Sequence, residues 1–192
     1  MKPVRPIEFL QGFLRNPLQV ASVVPSSRFL ARRVRECADV ASARVIVELG
    51  PGTGAMTGQI LDRMPANGHL IAIEINSDFA QLLREEFPDP RLSVFEGSST
   101  RIEDALGEAG EESADLVVSG IPFSTLEDGD GTATLEAAKR VLAPGGRFVA
   151  YQFRNHVARY AEPVFGAPET HSGFWNIPPM KIYVWGQSSP AA

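Results

Sequence analysis

The chain has a single cysteine, Cys37, among 192 residues. That excludes a disulfide framework and any zinc site built on several thiolates, and it suits a reducing compartment. No metal is expected. No apolar run approaches the ~20 residues of a membrane-spanning helix, and the first 20 residues lack the apolar core of a secretory signal. The expected location is therefore cytoplasmic. Basic residues are scarce over most of the chain. Beyond residue 35 there are 11 Lys and Arg against 22 Asp and Glu, which argues against a protein that coats nucleic acid with its whole surface.

What is present is ordinary globular material, 44% apolar and 21% charged, enough for one domain with a sizeable core. The charge is unevenly placed. Residues 1–35 hold Lys2, Arg5, Arg15, Arg28, Arg32, Arg33 and Arg35 against Glu8 alone, a local +6 in a chain of net −5. We read residues 1–40 as a basic helical arm and 41–192 as the main domain.

Apolar periodicity predicts strands at 44–49, 69–75, 91–95, 114–119 and 146–153, and helices at 27–38, 55–64, 77–87, 100–107 and 131–142. Pro51, Pro65, Pro88, Pro122 and Pro144 fall between them. The stretch "SGFWNIPPMKIYVWG" reads as two β segments split by Pro178-Pro179, an antiparallel addition. Alternating βα units imply a mostly parallel sheet with helices on both faces, with ligands at the carboxyl ends of its strands.

Strand 1 ends in Glu48-Leu49-Gly50-Pro51-Gly52-Thr53-Gly54. Glycines allow positive φ and close approach of backbone to a ligand. Gly50-x-Gly52-x-x-Ala55 satisfies a loose dinucleotide fingerprint, and Glu48-x-Gly50-x-Gly52-x-Gly54 fits an S-adenosylmethionine (SAM) loop equally well. Strand 2 ends in Glu74, a carboxylate able to accept hydrogen bonds from both hydroxyls of a ribose in either nucleotide. Ser98 and Ser99 after strand 3 have two open readings, a contact with an adenine edge or a helix cap.

The resemblance becomes specific at strand 4. Glu48 to Gly54, Glu74, Ser119-Gly120-Ile121-Pro122-Phe123 and "LAPGGRFVAYQF" at 142–153 follow in the order found in class I SAM-dependent methyltransferases. With "FLRNPLQVASVVPSSRFLAR" upstream and "WNIPPMKIYVW" downstream, the chain resembles the bacterial phospholipid N-methyltransferases, which methylate phosphatidylethanolamine towards phosphatidylcholine. It is also similar to the rRNA adenine dimethyltransferases. Their strand-4 signature begins with an Asn that helps hold the target amine, and Gly120 stands in its place here. The acidic residue often found after strand 3 is replaced by Ser98.

The resemblance implies a Rossmann-like seven-stranded sheet with an antiparallel C-terminal strand, and SAM as cofactor with S-adenosylhomocysteine as product. Glu48, Gly50, Gly52, Gly54, Glu74, Ile75, Ser98, Ser99, Ser119 and Ser26 are the expected cofactor contacts. Ser119, Gly120, Pro122, Phe123 and Tyr151 are the expected transfer site. Tyr151 offers a hydroxyl or a cation–π face, or is a half-buried aromatic. His156 is more simply a loop histidine than a base.

The arm carries the substrate argument. Pro6 opens and Asn16-Pro17 closes a helix over about 6–15. At ~100° per residue, Glu8, Gln11, Gly12 and Arg15 share one sector, opposite Ile7, Phe9, Leu10, Phe13 and Leu14. Such a helix lies in a lipid interface or packs as a lid over the sheet, and the flanking arginines face solvent or lipid phosphate. The expected partners are a phospholipid and an anionic membrane surface at the inner face of the cell membrane. No nucleic acid partner is expected, and the chain is expected to be a monomer. An rRNA adenine methyltransferase, a small-molecule N-methyltransferase and a non-catalytic SAM sensor or scaffold are the alternatives.

Overall fold

Five buried residues in a row, Val45–Leu49, form β1. A run hydrophobic on both sides with no alternation is what a central parallel strand requires. The computed structural model describes residue 34 and residues 37–123, 126, 129–152, 156–172 and 181–186. Around β1 it arranges α1 (Ala55–Leu61), β2 (His69–Glu74), α2 (Ser77–Glu86), β3 (Leu92–Glu96), a 3₁₀ turn (Ser99–Arg101) and α3 (Ile102–Glu108). There follow β4 (Ala114–Ser119), α4 (Asp130–Val141), β5 (Leu142–Gln152), α5 (His156–Phe165), β6 (Glu169–Ser172) and β7 (Lys181–Gly186).

The strands make one seven-stranded sheet in the order β3-β2-β1-β4-β5-β7-β6. All pairs from β3 to β5 are parallel, and β7 runs antiparallel to both β5 and β6. The chain winds outward through β2 and β3, then returns to place β4 on the other side of β1. The crevice between the carboxyl ends of β1 and β4 is thus the switch point where such sheets bind ligands.

The strand pleat sends side chains to two cores. Val45, Val47, Leu49, Val117, Phe148, Ala150, Tyr183 and Trp185 point to one face, covered by α3, α4 and α5. Ile46, Leu70, Leu116, Val118, Val149, Ile182 and Val184 point to the other, beneath Met56 and Ile60 of α1. Val34 and Ala38, at the end of the sequence-defined arm, are buried on this second face. The amphipathic 6–15 segment, Ser26 and the first half of the expected C-terminal β pair lie outside the described residues.

Two elements differ from the sequence reading. β5 begins at Leu142 rather than 146, because the six residues from Leu142 to Arg147 are set against only three, Ala114 to Leu116, of β4. The excess loops out at Pro144-Gly145, where Gly145 has φ 81. The breaker signal marked a bulge rather than a strand start. The helix α5 was not expected, since Pro163 interrupts it. Its apolar face, including Val157 and Ala161, is buried on the sheet, and tertiary packing overrides the propensity.

Phe148 anchors the first face, its ring stacked on Phe165 at 5.4 Å and tilted against Trp185 at 5.5 Å. Phe148→Ala should cost about 3–5 kcal/mol, lowering Tm by ~6–20 °C in a domain of this size. Thermal denaturation monitored by circular dichroism measures it.

Candidate active site

Three glycines end β1, and each is required for a different reason. Gly50, Gly52 and Gly54 have φ of 68, 56 and 81, which side-chain-bearing residues adopt at a cost. A Cβ at Gly50 would lie 2.9 Å from Ile121 Cγ1, and one at Gly54 would meet Phe87 Cζ at 2.8 Å and Leu83 Cδ2 at 2.9 Å. These two glycines permit close packing of the loop against the tip of β4 and against α2. At Gly52 a Cβ would meet nothing within 4 Å. The middle of the loop therefore faces open space, a cradle for a ligand.

Glu74 ends β2 beside this cradle. Its Oε2 accepts the Gly52 N–H at 2.9 Å and its Oε1 accepts the Asn76 N–H at 2.9 Å. The carboxylate holds the loop in place, and each oxygen keeps a lone pair for a further donor. Ile75, next along, is 75% exposed, an apolar surface at the mouth of the cradle. Ser98 caps the 3₁₀ turn by accepting the Thr100 N–H at 3.2 Å, and the Ser99 hydroxyl pairs with that of Thr134 at 2.9 Å. Of the two readings of Ser98, capping is the one the geometry supplies.

Glu48 is 0% exposed. Its Oε2 accepts from the Thr57 hydroxyl at 2.7 Å, and among the described residues Oε1 has no hydrogen-bond partner. Burial pushes the carboxyl up to about 7. The Thr57 hydrogen bond pulls the other way, and Glu74 adds to the rise.

The carboxyl end of β4 divides the residues expected to form the transfer site. The pleat puts Ser119 and Phe123 on the face of α3 to α5. Ser119 is 0% exposed and its Oγ accepts the Ile121 N–H at 3.4 Å. Phe123 is 1% exposed and lies 6.3 Å from the Tyr160 ring. Both pack into the core of that face. Gly120 and Tyr151 instead lie on the face of Glu48 and Glu74. A Cβ at Gly120 would collide with the Tyr151 hydroxyl and lie 3.0 Å from its Cζ. Burial, and behind it the charge of Glu48, pushes the Tyr151 phenol well above its ordinary value. Pro122 is exposed at the tip of the loop.

Two residues went unread in the sequence. Gln152 donates from Nε2 to the Ile121 carbonyl at 2.6 Å and accepts the Val157 N–H at 3.4 Å, tying the β4 tip to β5 and α5. Thr57 fixes Glu48. Its place nine residues on, inside α1, was the available signal. His156 opens α5 rather than sitting in a loop.

Glu48 gives stability a measurable pH dependence. Its folded-state value of about 7 lies above the ordinary value of 4.5, so the unfolded chain sheds this proton first. The contribution is retained below pH 4.5, falls as pH rises to about 7 and then levels. The span corresponds to about 3 kcal/mol. Glu48→Gln should match the parent near pH 4 and exceed it in Tm by ~6–12 °C at pH 8, read by thermal melts across pH.

Comparison with known proteins places this geometry. A methyltransferase-domain family matches residues 46–146. The ornithine lipid N-methyltransferase of Singulisphaera acidiphila is 34% identical over 91% of this chain and 92% of its own. The ribosomal RNA small subunit methyltransferase A of Thiobacillus denitrificans is 31% identical over 43% of this chain and 30% of its own. The N-methyltransferase NodS of Bradyrhizobium japonicum shares the fold at TM-score 0.69 and 14% identity, over 86% of this chain and 98% of its own. The O-methyltransferase TomG of Streptomyces achromogenes, solved with SAM, does so at 0.65 and 18%, over 86% and 80%. The open cradle at Gly52, the carboxylate beside it and exposed Ile75 fit a ribose and a flat adenine. The chain belongs to the class I SAM-dependent methyltransferases, in the same family as the ornithine lipid N-methyltransferase of Singulisphaera acidiphila.

Proposed function

We propose that the enzyme methylates the primary amine of a membrane lipid headgroup. The observation that carries this reading is the likeness to a lipid N-methyltransferase along 91% of the chain, against 43% for an rRNA relative. The burial of Phe123 adds to it, because a ring packed in the core has no face to offer a flat base. Phosphatidylethanolamine is the proposed acceptor, methylated stepwise towards phosphatidylcholine. The likeness to the ornithine lipid N-methyltransferase of Singulisphaera acidiphila favours a second reading, the amine of an ornithine lipid. Both are primary amines at a lipid surface.

In this reading Glu74 holds the SAM ribose through its spare lone pairs, the backbone at Gly52 lies along the methionine side, and Ile75 lies under the adenine. Bound SAM supplies a methyl group already activated on a sulfonium, so the protein's task is to align the amine with it. Gly120, Pro122 and Tyr151 border the place where the amine is held. The basic arm brings this mouth to the anionic inner face of the membrane, where each basic residue near the surface contributes about 1 kcal/mol. The enzyme works there as a monomer.

Two measurements test the reading. Glu74→Ala should weaken SAM binding by ~30- to 1000-fold, the loss of about 2–4 kcal/mol of charge-assisted hydrogen bonding, measured by isothermal titration. Purified protein with labelled SAM and vesicles holding either lipid should transfer label to a headgroup amine, resolved by thin-layer separation. Label in 16S RNA and none in lipid would reject the lipid reading. Deleting residues 1–15 should abolish sedimentation with anionic vesicles while sparing SAM affinity.

A further inference from the structure

Gly120 is a glycine for a reason other than backbone shape. Its φ does not fall in the left-handed region where Gly50, Gly52 and Gly54 lie, so the backbone there would accept any L residue. What forbids a side chain is Tyr151. A Cβ at position 120 would collide with the Tyr151 hydroxyl, lie 3.0 Å from its Cζ and come to 3.3 Å from the Gly50 carbonyl oxygen.

Strand register explains the encounter. Leu49 of β1 is paired with Ser119 of β4, and Ser119 with Ala150 of β5. The next row across the sheet is therefore Gly50, Gly120 and Tyr151, with Ile182 of β7 paired to Tyr151 on its far side. Two neighbouring glycines leave the cofactor face bare at this level, and the tyrosine reaches over them from β5. The side chain offered to the switch point thus comes from β5 rather than from β4.

Its hydroxyl has no partner within the protein. Tyr151 is half-buried and makes no hydrogen bond among the described residues. The polar side chains beside it, Ser119 and Gln152, turn to the opposite face and bond Ile121 there. On the cofactor reading, Gly52 and Glu74 give the ends of β1 and β2 to SAM. The tip of β4 is then the wall that the acceptor meets, and the Tyr151 hydroxyl stands on it. Burial holds the phenol in its neutral form, and its oxygen can accept a hydrogen bond.

We propose that Tyr151 determines which headgroup nitrogens are methylated well, its hydroxyl oxygen accepting an N–H of the acceptor amine. This rests on the amine-methylation reading above. The amine reacts as the free base, the headgroup ammonium having given its proton to water. Its electron pair forms the N–C bond while the C–S pair remains with sulfur. The methylammonium product gives a proton to water before the next round. Nitrogen gains positive charge as the bond forms, so an N–H held by Tyr151 Oη becomes a charge-assisted hydrogen bond in the transition state. A primary amine carries two such hydrogens and a monomethylated amine one. A dimethylated amine carries none, so the last transfer gains nothing from the hydroxyl. The competing role for Tyr151 is steric, a ring that fills the space over Gly120, and its loss would slow every transfer alike.

The test compares acceptors that differ only at nitrogen. Labelled SAM is supplied with vesicles carrying phosphatidylethanolamine or ornithine lipid, each unmethylated or in its N,N-dimethyl form. Tyr151→Phe should lower kcat on the unmethylated lipid by roughly 10- to 100-fold, the loss of one hydrogen bond to a charged group. On the dimethyl form, where no such bond is removed, the loss should stay under about threefold. SAM affinity, measured by isothermal titration, should be retained. Gly120→Ala should reproduce this pattern by pushing the hydroxyl aside. The double variant should lose no more than either single one, since both remove the same contact. Equal losses on the two forms of the lipid overturn the inference, and so do losses that add in the double variant. A parent protein that methylates no lipid amine overturns the functional reading instead.

Discussion

The absence of room for side chains between the carboxyl ends of β1 and β4 is the constraint on which the rest depends. Gly50 touches Ile121 and Gly120 touches Tyr151 so closely that a Cβ at either would have to displace its neighbour. These approaches let the Gly120 N–H reach the Leu49 carbonyl at 3.0 Å, as the Gly50 N–H reaches that of Ile73. The three central strand tips therefore end level, and the switch-point crevice is shaped by backbone. Glu74 then closes the arrangement from β2 by holding Gly52.

The two ends of the sheet are built differently. At the amino end, Asp115 accepts the backbone N–H groups of Arg44 and Val45, and Glu111 takes a bidentate hydrogen bond from Arg44 and a contact from His69. These polar groups are partnered and partly solvated, which is how ionic side chains contribute to a fold without a large desolvation cost. At the carboxyl end, Glu48 is buried with half its carboxyl unpartnered, an arrangement that costs stability when ionised. The amino end, with its satisfied pairs, carries no such cost.

The sequence by itself determined the order of the βα units, the glycine loop, the carboxylate at Glu74 and the absence of an Asn at position 120. Each of these rests on local chemistry: strand-length apolar runs, prolines between them, and glycines where positive φ is needed. The family resemblance drew on the same short stretches. Only the tertiary structure decided which face of the sheet each residue serves. The parity that separates Ser119 from Gly120 could be counted along the strand, but which face holds the cradle depends on how β1, β2 and β5 register against β4. That register sends Phe123 into the core with Tyr160 and brings Tyr151 over Gly120. The burial that moves Glu48 to about 7 is likewise a property of everything packed around it, because desolvation is set by neighbours remote in the chain.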